Sequence, residues 1–298
     1  MKAHYFSFLS MPQGNLRGIG LSAIATFLFA FETAVVRHLS KDLHPFEIAF
    51  FAAVSLSFML LPWILHRKLY ALRTGKLHLH LLRTVFSSIA VLALFYAVRE
   101  TPLAKVTALS FTMPIFTALL AIYFLGEAVG VRRWAAILFG FAGAMVVLRP
   151  GFVVIDSGSL TAILSAFLFA LTILVVKTLT RTDSIVTISV YGALMRIPFS
   201  LIPAILVWQT PRIEHLAWFA AIGILEAAAA FSFTQALKDA DTAVITPMFY
   251  LQLIWAAALG YVFFAEVPGT FTWVGAAMIV GATTYIAVRE RYSSTHTG

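Results

Sequence analysis

The stretch Phe27-Leu28-Phe29-Ala30 recurs 140 residues later as Phe167-Leu168-Phe169-Ala170. The matches continue beyond this stretch, first at a spacing of 140 residues and then at one of 139. The matched pairs that chance explains least in an apolar sequence are Arg37 with Lys177, Glu127 with Glu266, Gly130 with Gly269, and Trp134 with Trp273. The chain is therefore predicted to consist of two related halves.

The composition indicates an integral membrane protein. Of the 298 residues, 61% are hydrophobic and 11% are charged, and the mean hydropathy is +0.92. Soluble proteins are about 45–50% apolar and about 25% charged. An ordinary soluble domain, a disordered chain and a nucleic-acid-binding module are thereby excluded, although the formal net charge is +8. The lack of cysteine excludes disulfides and thiolate metal sites.

Ten segments are apolar enough to span a bilayer as helices, each of which needs about 20 residues. They lie near residues 16–37, 45–65, 80–98, 103–125, 131–148, 158–179, 184–208, 215–237, 242–264 and 272–289. Strand-type alternation is not the governing pattern, so an all-α membrane protein is predicted rather than an outer-membrane barrel. Residues 1–15 have no long apolar core and no small-residue cleavage site, so no removable signal peptide is expected.

Lysine and arginine residues are distributed unequally between the two faces of such a bundle. With the N-terminus inside, 14 lie on the inner side, 6 on the outer side and Arg196 within a segment. Because cytoplasmic loops carry the excess of basic residues, both termini and the 66–76 loop are predicted to be cytoplasmic. Each half has five segments, an odd number, so the two five-helix repeats are inverted. Inverted repeats suit alternating access, with the substrate bound near the midplane between the halves.

Residues 108–127, which read ALSFTMPIFTALLAIYFLGE, resemble the EamA domain of the drug/metabolite transporter superfamily, together with Trp134 and the Gly140/Gly143 helix. The stretch 246–266 is similar. The resemblance covers nearly the whole chain, as one repeat over 16–149 and a second over 157–291. At whole-chain level the sequence is similar to the aromatic amino-acid exporters of the YddG type. That similarity implies export of aromatic amino acids and related metabolites across the inner membrane, through a cavity surrounded by segments 1, 3, 4, 6, 8 and 9.

Three ionisable residues are predicted at membrane depth, where charges are costly and are functional candidates. They are Glu32 in segment 1, Arg196 in segment 7 and Glu226 in segment 8. Each is a candidate either for a structural role, as an ion pair or as a protonated carboxyl bonded to a neighbouring helix, or for a substrate or proton site. Arg196 and Glu226 lie roughly 24 and 20 Å along their helices from the connecting loop, so we expect them to pair or to share one polar pocket. For Arg83, near a segment end, snorkelling to the lipid headgroups is predicted.

Aromatic and polar residues on the segments that the resemblance assigns to the cavity are candidate substrate contacts. They are Tyr96, Phe111, Tyr250, Trp255, Ser88, Glu32 and Glu226. Phe111 and Tyr250 are equivalent positions of the two repeats and should lie at similar depth. For an aromatic side chain the alternative is a lipid-facing or core position, and for Ser88 it is a hydrogen bond within its own helix.

Two prolines are candidate hinges, with a fixed kink as the alternative for each. Pro114 is predicted in the middle of segment 4, where it removes the backbone hydrogen bond to the Ser110 carbonyl, and Pro247 lies early in segment 9.

Glycine and glutamate residues near the helix ends are assigned structural roles. Gly140 and Gly143 are predicted to allow close helix packing in segment 5, and Gly275 and Gly281 in segment 10. Glu127 and Glu266, each just before a following segment, are expected to satisfy helix N-termini rather than to bind substrate. The Gly-Glu pair of the first repeat is replaced by Ala265-Glu266 in the second.

The sequence contains no H-E-x-x-H motif, nucleophile elbow, phosphate loop or carboxylate cluster for a metal, so neither catalysis nor a cofactor is predicted. A monomeric secondary transporter is favoured, with a small molecule and the lipid bilayer as partners and no nucleic acid. Three alternatives remain: a transporter of another metabolite or drug, a membrane-embedded transferase, and a passive channel.

Overall fold

The computed structural model describes residues 13–66, 74–125, 131–149, 155–239, 248 and 250–294. All regular secondary structure within these ranges is helical. The helices are α1 (Gln13–Leu39), α2 (Pro45–His66), α3 (Leu77–Glu100), α4 (Leu103–Ser110), α5 (Met113–Leu125), α6 (Val131–Leu148), α7 (Ser157–Leu179), α8 (Ile185–Leu206), α9 (Ile213–Asp239), α10 (Leu251–Phe264) and α11 (Thr270–Ser294). They coincide with the ten predicted segments, with the fourth divided between α4 and α5.

The length and apolar character of these helices match a bilayer. Five are long and apolar enough to cross it: α1, α3, α7, α8 and α9. The other five segments contribute shorter apolar helices of 10–17 residues within the described ranges. Because a helix rises 1.5 Å per residue, α1 and α9, with 27 residues each, exceed the ~30 Å hydrocarbon thickness.

The helix packing repeats itself when the two halves are exchanged. In the two halves α1 corresponds to α7, α2 to α8, α3 to α9, and α4 with α5 to α10. The contact of α3 with α7 is matched by that of α9 with α1, and the contact of α2 with α9 by that of α8 with α3. The contact of α1 with α10 is matched by the contacts of α7 with α4 and α5. Three further contacts join equivalent helices: α2 with α8, α4 with α10, and α6 with α11. The chain is thus an all-α integral membrane protein with ten transmembrane helices in two inverted five-helix repeats, and most of its packing joins one half to the other.

Six segments form a closed ring at the centre, through the contacts α1–α9, α1–α10, α10–α4, α4–α7, α7–α3 and α3–α1. They are the six segments that the family resemblance places around a cavity. The α2–α8 and α6–α11 pairs flank this ring. We call the side of the bundle where α1 begins and α11 ends the terminal face, and the opposite side the distal face.

Small residues allow the close approach of α6 and α11. A Cβ atom built on Gly275 would lie 2.5 Å from the Gly143 carbonyl oxygen, and one on Gly140 would lie 2.2 Å from Cδ1 of Ile115. The packing role predicted for these three glycines is confirmed. The prediction for Gly281 is wrong, because a Cβ atom there would meet nothing within 4 Å.

The fourth segment is interrupted rather than kinked. Helix α4 ends at Ser110 and α5 begins at Met113, so Pro114 lies in the first turn of a new helix and not in the middle of one. Thr112 N–H donates to the Leu109 carbonyl at 3.0 Å, which tightens the chain just before the break. Proline is tolerated in a first turn because its missing N–H has no partner there. The mid-helix placement of Pro114 is therefore wrong; Pro247 lies outside the described residues.

Candidate functional site

Phe111 and Tyr250 mark the centre of the bundle. Phe111 lies in the break between α4 and α5, and Tyr250 directly precedes α10. Their rings meet edge to face, with centroids 5.3 Å apart and an interplanar angle of 87°. Two equivalent residues of an inverted repeat touch only close to the pseudo-twofold axis, which lies in the membrane plane. This contact is therefore near mid-depth, between the halves.

A group of three charged side chains lies on α1, α8 and α9. Nη2 of Arg196 donates to both carboxylate oxygens of Glu226, at 3.0 and 2.9 Å. The pairing predicted from their depth is confirmed. Glu32, of which 8% is exposed, is within electrostatic range of both partners. The carboxyl groups of Glu32 and Glu226 thus lie near one guanidinium, which is hydrogen-bonded to Glu226.

Arg83 does not snorkel to the headgroups, contrary to the prediction. Its Nη1 donates to the Ile188 carbonyl oxygen at 3.0 Å, on helix α8. The guanidinium occupies the space beside Gly192, where a Cβ atom would lie 2.0 Å from Nη1. The reason is that Gly192 opens a gap in α8 one turn before Arg196, and a carbonyl at its edge accepts the hydrogen bond.

Aromatic side chains and unpaired polar atoms lie on the ring helices α1, α3 and α10. The Trp255 ring meets Phe27 edge-on at 5.4 Å, and Phe27 stacks on Phe31 at 5.9 Å. Nine buried side-chain polar atoms in the described ranges have no hydrogen-bond partner, and three of them are Oγ of Ser22, Oγ of Ser88 and Nε1 of Trp255. Because buried polar groups are normally paired, such atoms are candidates for contact with a ligand. The hydrogen bond within the helix that was the alternative for Ser88 is not formed.

Tyr96 is separate from the other candidates. Its hydroxyl lies 3.4 Å from Oγ of Ser157, at the start of α7 on the distal face. Phe27 and Ser22 were missing from the predicted set, since the sequence alone does not tell which face of α1 points inward.

Glu266 joins the two halves on the distal face. Its Oε2 accepts a hydrogen bond at 2.8 Å from the backbone N–H of Leu103, at the start of α4, and its Oε1 lies 2.5 Å from Nη2 of Arg37. Burial raises the Glu266 pKa, while the Leu103 N–H and Arg37 act in the opposite direction. As predicted, the Glu266 carboxylate accepts a hydrogen bond from a helix N-terminus. That helix is α4, however, and not α11, which follows Glu266 in the chain. Ala265, with φ of 53°, turns the chain back toward α4. Glu127 lies outside the described residues.

A second polar contact between the halves lies on the same face. Nζ of Lys105 lies 2.7 Å from Oδ2 of Asp156, and the Thr101 hydroxyl donates to Oδ1 of the same carboxylate. Asp156 also accepts from the backbone N–H of Ser159 at 2.7 Å and so caps α7. Although burial acts to raise its pKa, these hydrogen bonds lower the Asp156 pKa well below its usual range.

On the terminal face the link between the halves involves a histidine. Nε2 of His80, which is fully buried in α3, lies 2.7 Å from Oδ2 of Asp183, and the Thr74 hydroxyl donates to the same oxygen at 2.6 Å. The hydrogen bond from Thr74 is the main reason that the Asp183 pKa is lowered. Among the described residues, no group of three His, Asp or Glu side chains is placed to hold a metal ion.

Comparison with known proteins gives the chain a family. The sequence profile of the EamA-like transporter family matches residues 16–149 and 156–288. The S-adenosylmethionine uptake transporter of Rickettsia prowazekii is 30% identical over 278 residues, covering 92% of this chain and 95% of that protein. The riboflavin transporter of Rhizobium johnstonii is 33% identical over 282 residues, covering 94% and 93%.

One solved crystal structure superposes with a TM-score of 0.60 at 16% identity, covering 94% of this chain and 98% of that one, which supports the fold alone. Neither relative named above is an aromatic amino-acid exporter, so the similarity to the YddG type has no specific support from them. The chain therefore belongs to the EamA-like transporter family, within the drug/metabolite transporter superfamily, and is a membrane transporter rather than an enzyme.

Proposed function

We propose that this transporter moves a small metabolite that carries both a planar ring and a positively charged group, by alternating access between the two halves. The observation that carries this proposal is the charge balance at Glu32. Arg196 already serves both oxygens of Glu226. Glu32 forms no ion pair of its own among the described residues. The neighbouring guanidinium of Arg83 donates to the neutral Ile188 carbonyl and so keeps its charge, but it makes no ion pair with Glu32.

A buried carboxyl group without a hydrogen-bonded ion-pair partner of its own is a candidate site for a cation or a proton, because an uncompensated charge at membrane depth costs at least about 2.5–3.5 kcal/mol. An ammonium or sulfonium group near Glu32 would supply that compensation. The aromatic side chains of Phe27, Phe31 and Trp255 offer a surface for a ring, and ring–ring contact contributes about 0.5–1.5 kcal/mol beyond area burial.

Three test substrates differ in whether they carry a ring and a positively charged group. S-adenosylmethionine combines a purine ring with a cationic centre, and aromatic amino acids combine a ring with an ammonium group. Riboflavin has a large planar ring and no positive charge. The names of the relatives support the first and third of these. Export of aromatic amino acids is the more specific proposal, and it rests on the sequence similarity to the YddG type.

The test uses purified protein in liposomes, loaded in turn with each of the three substrates, with and without a proton gradient. We expect saturable transport of a substrate that carries both a ring and a positively charged group. The variant Glu32→Gln should reduce that transport about tenfold or more, since a charge-assisted hydrogen bond contributes about 1.5–3 kcal/mol.

The matched control is Glu214→Gln, which removes a carboxylate that is 64% exposed on the distal face. It should leave transport unchanged. Transport of riboflavin alone, or an unaltered rate in Glu32→Gln at normal abundance in the membrane, would contradict the proposal.

We further propose that the chain resides as a monomer in the bacterial inner membrane, with both termini in the cytoplasm. The basic bias of 14 to 6 supports this orientation. Reporter fusions at His296 and in the 66–76 loop should both be cytoplasmic; a periplasmic signal from either one overturns the topology. The repeats are proposed to span 16–149 and 157–291.

A further inference from the structure

A pocket of about 480 Å³ opens on the distal face, at the ends of three helices of the central ring. It lies where α1, α3 and α10 end. Its polar wall carries three cationic side chains, Arg37, Lys41 and Arg99, with Ser40 beside them. Its other wall is the last turn of α10, residues 262–265. None of the described residues that line the pocket is acidic.

The charges around the pocket do not cancel. Glu266 neutralises Arg37 from the side of the bundle interior, and Nε of Arg99 lies 3.4 Å from Oε1 of its neighbour Glu100. Lys41 forms no ion pair in the described part of the chain. Lys41 is therefore the cation of this lining that has no acidic side-chain partner among the described residues, and the carboxyl ends of α1, α3 and α10 partly offset its charge.

Two of the cations are held in place before any ligand arrives. Cζ of Arg37 and Nζ of Lys41 lie 5.6 and 5.4 Å from the centre of the Phe264 ring, within cation–π range. Arg37 also donates to the carbonyl oxygens of Val98 and, at 2.9 Å, Thr101. Arg37 is thereby fixed with its Nη1 engaged, so it adds charge to the pocket, while Lys41 and Arg99 supply the donors for a phosphate.

The apolar wall indicates where the phosphate comes from. Val262 and Phe263 are 70% and 58% exposed, on a helix that crosses the membrane, so their side chains face acyl chains. Cations at the end of such a helix lie at headgroup level. A site with a cationic wall beside a lipid-facing apolar wall matches an anionic phospholipid better than a free anion.

We propose that this pocket binds the phosphate group of an anionic phospholipid from the leaflet on the distal face, through Arg37, Lys41 and Arg99. The bound headgroup would lie against the Arg37–Glu266 ion pair, which joins the two halves. The proposal does not depend on the identity of the transported substrate.

The test measures lipid binding to the full-length purified protein by native mass spectrometry, and by the shift in unfolding midpoint on adding lipid. Phosphatidylglycerol, phosphatidylcholine and inorganic phosphate are compared. We expect phosphatidylglycerol to bind and stabilise. The variants Lys41→Gln and Arg99→Gln should each weaken its binding about threefold to tenfold.

The matched control is Arg212→Gln, which removes the same charge from the same face at a side chain that is 74% exposed. Midpoints measured without lipid verify that every variant is folded. The proposal is overturned if Arg212→Gln weakens binding as much as the two pocket variants do, or if phosphatidylcholine binds equally well. It is overturned also if inorganic phosphate alone reproduces the whole shift, which would assign the pocket to a free anion.

Discussion

Replacing Arg196 with methionine tests whether the Arg196–Glu226 pair holds α8 to the central ring. The two side chains are 12% and 21% exposed, and the pair carries two hydrogen bonds of 3.0 and 2.9 Å. Arg196→Met leaves Glu226 close to Glu32, with the bound guanidinium removed. Glu226→Gln instead leaves Arg196 close to Glu32, which still supplies a negative charge.

The two single changes should therefore have unequal costs. Removing one partner of a buried ion pair costs about 3–5 kcal/mol, and Arg196→Met should reach that range because two carboxylates are left together. Glu226→Gln should cost less. The double variant removes the pair as a unit, so its cost should fall short of the summed single costs by about 1–3 kcal/mol, the coupling energy expected of residues in contact.

The assay is a double-mutant cycle on folded yield and on the unfolding midpoint, with transport measured in the same preparations. Arg212 and Glu214, whose side chains lie 3.2 Å apart but are 74% and 64% exposed, give the control cycle. Its coupling energy should be at most about 1 kcal/mol. Additive effects of Arg196→Met and Glu226→Gln would refute the reasoning. A double variant that folds but does not transport would assign Glu226 to the substrate as well.

Three further changes test other parts of the structure. Asp156→Ala should destabilise the protein by about 1–2 kcal/mol through loss of the α7 cap. The Asp156 pKa is lowered in the folded protein, so the stability difference between wild type and Asp156→Ala should be constant at pH values above 3.8, the ordinary pKa of an aspartate, and should shrink as the pH falls below it. A stability difference that grows in acid contradicts the assignment. Ala265→Gly should raise the free energy of unfolding by about 0.5–1 kcal/mol, since alanine at φ of 53° is strained. A lowered unfolding midpoint contradicts this expectation. Alanine at Phe111, Tyr250 or Trp255 should each weaken substrate affinity about fivefold at normal membrane abundance, measured by transport, and three unaffected variants would place the path elsewhere.

The sequence by itself determined the architecture, because its signals are local or periodic. Apolar runs near the length of a bilayer crossing give the ten helices whatever their neighbours are. Matching residues 139 and 140 positions apart give the repeat, and five segments per half require inversion. The depth of Arg196 and Glu226 follows from 1.5 Å per residue along two consecutive helices, so their pairing was predictable as well.

Only the tertiary structure decided which distant residues meet. The partners of Glu266 are Arg37 and the N–H of Leu103, which are more than 160 residues away along the chain. Arg83 turns inward because Gly192 leaves a gap on another helix. The break before Pro114 places Phe111 against Tyr250. These outcomes depend on helix rotation and on contacts between the halves, and composition, hydropathy and spacing carry no information about either.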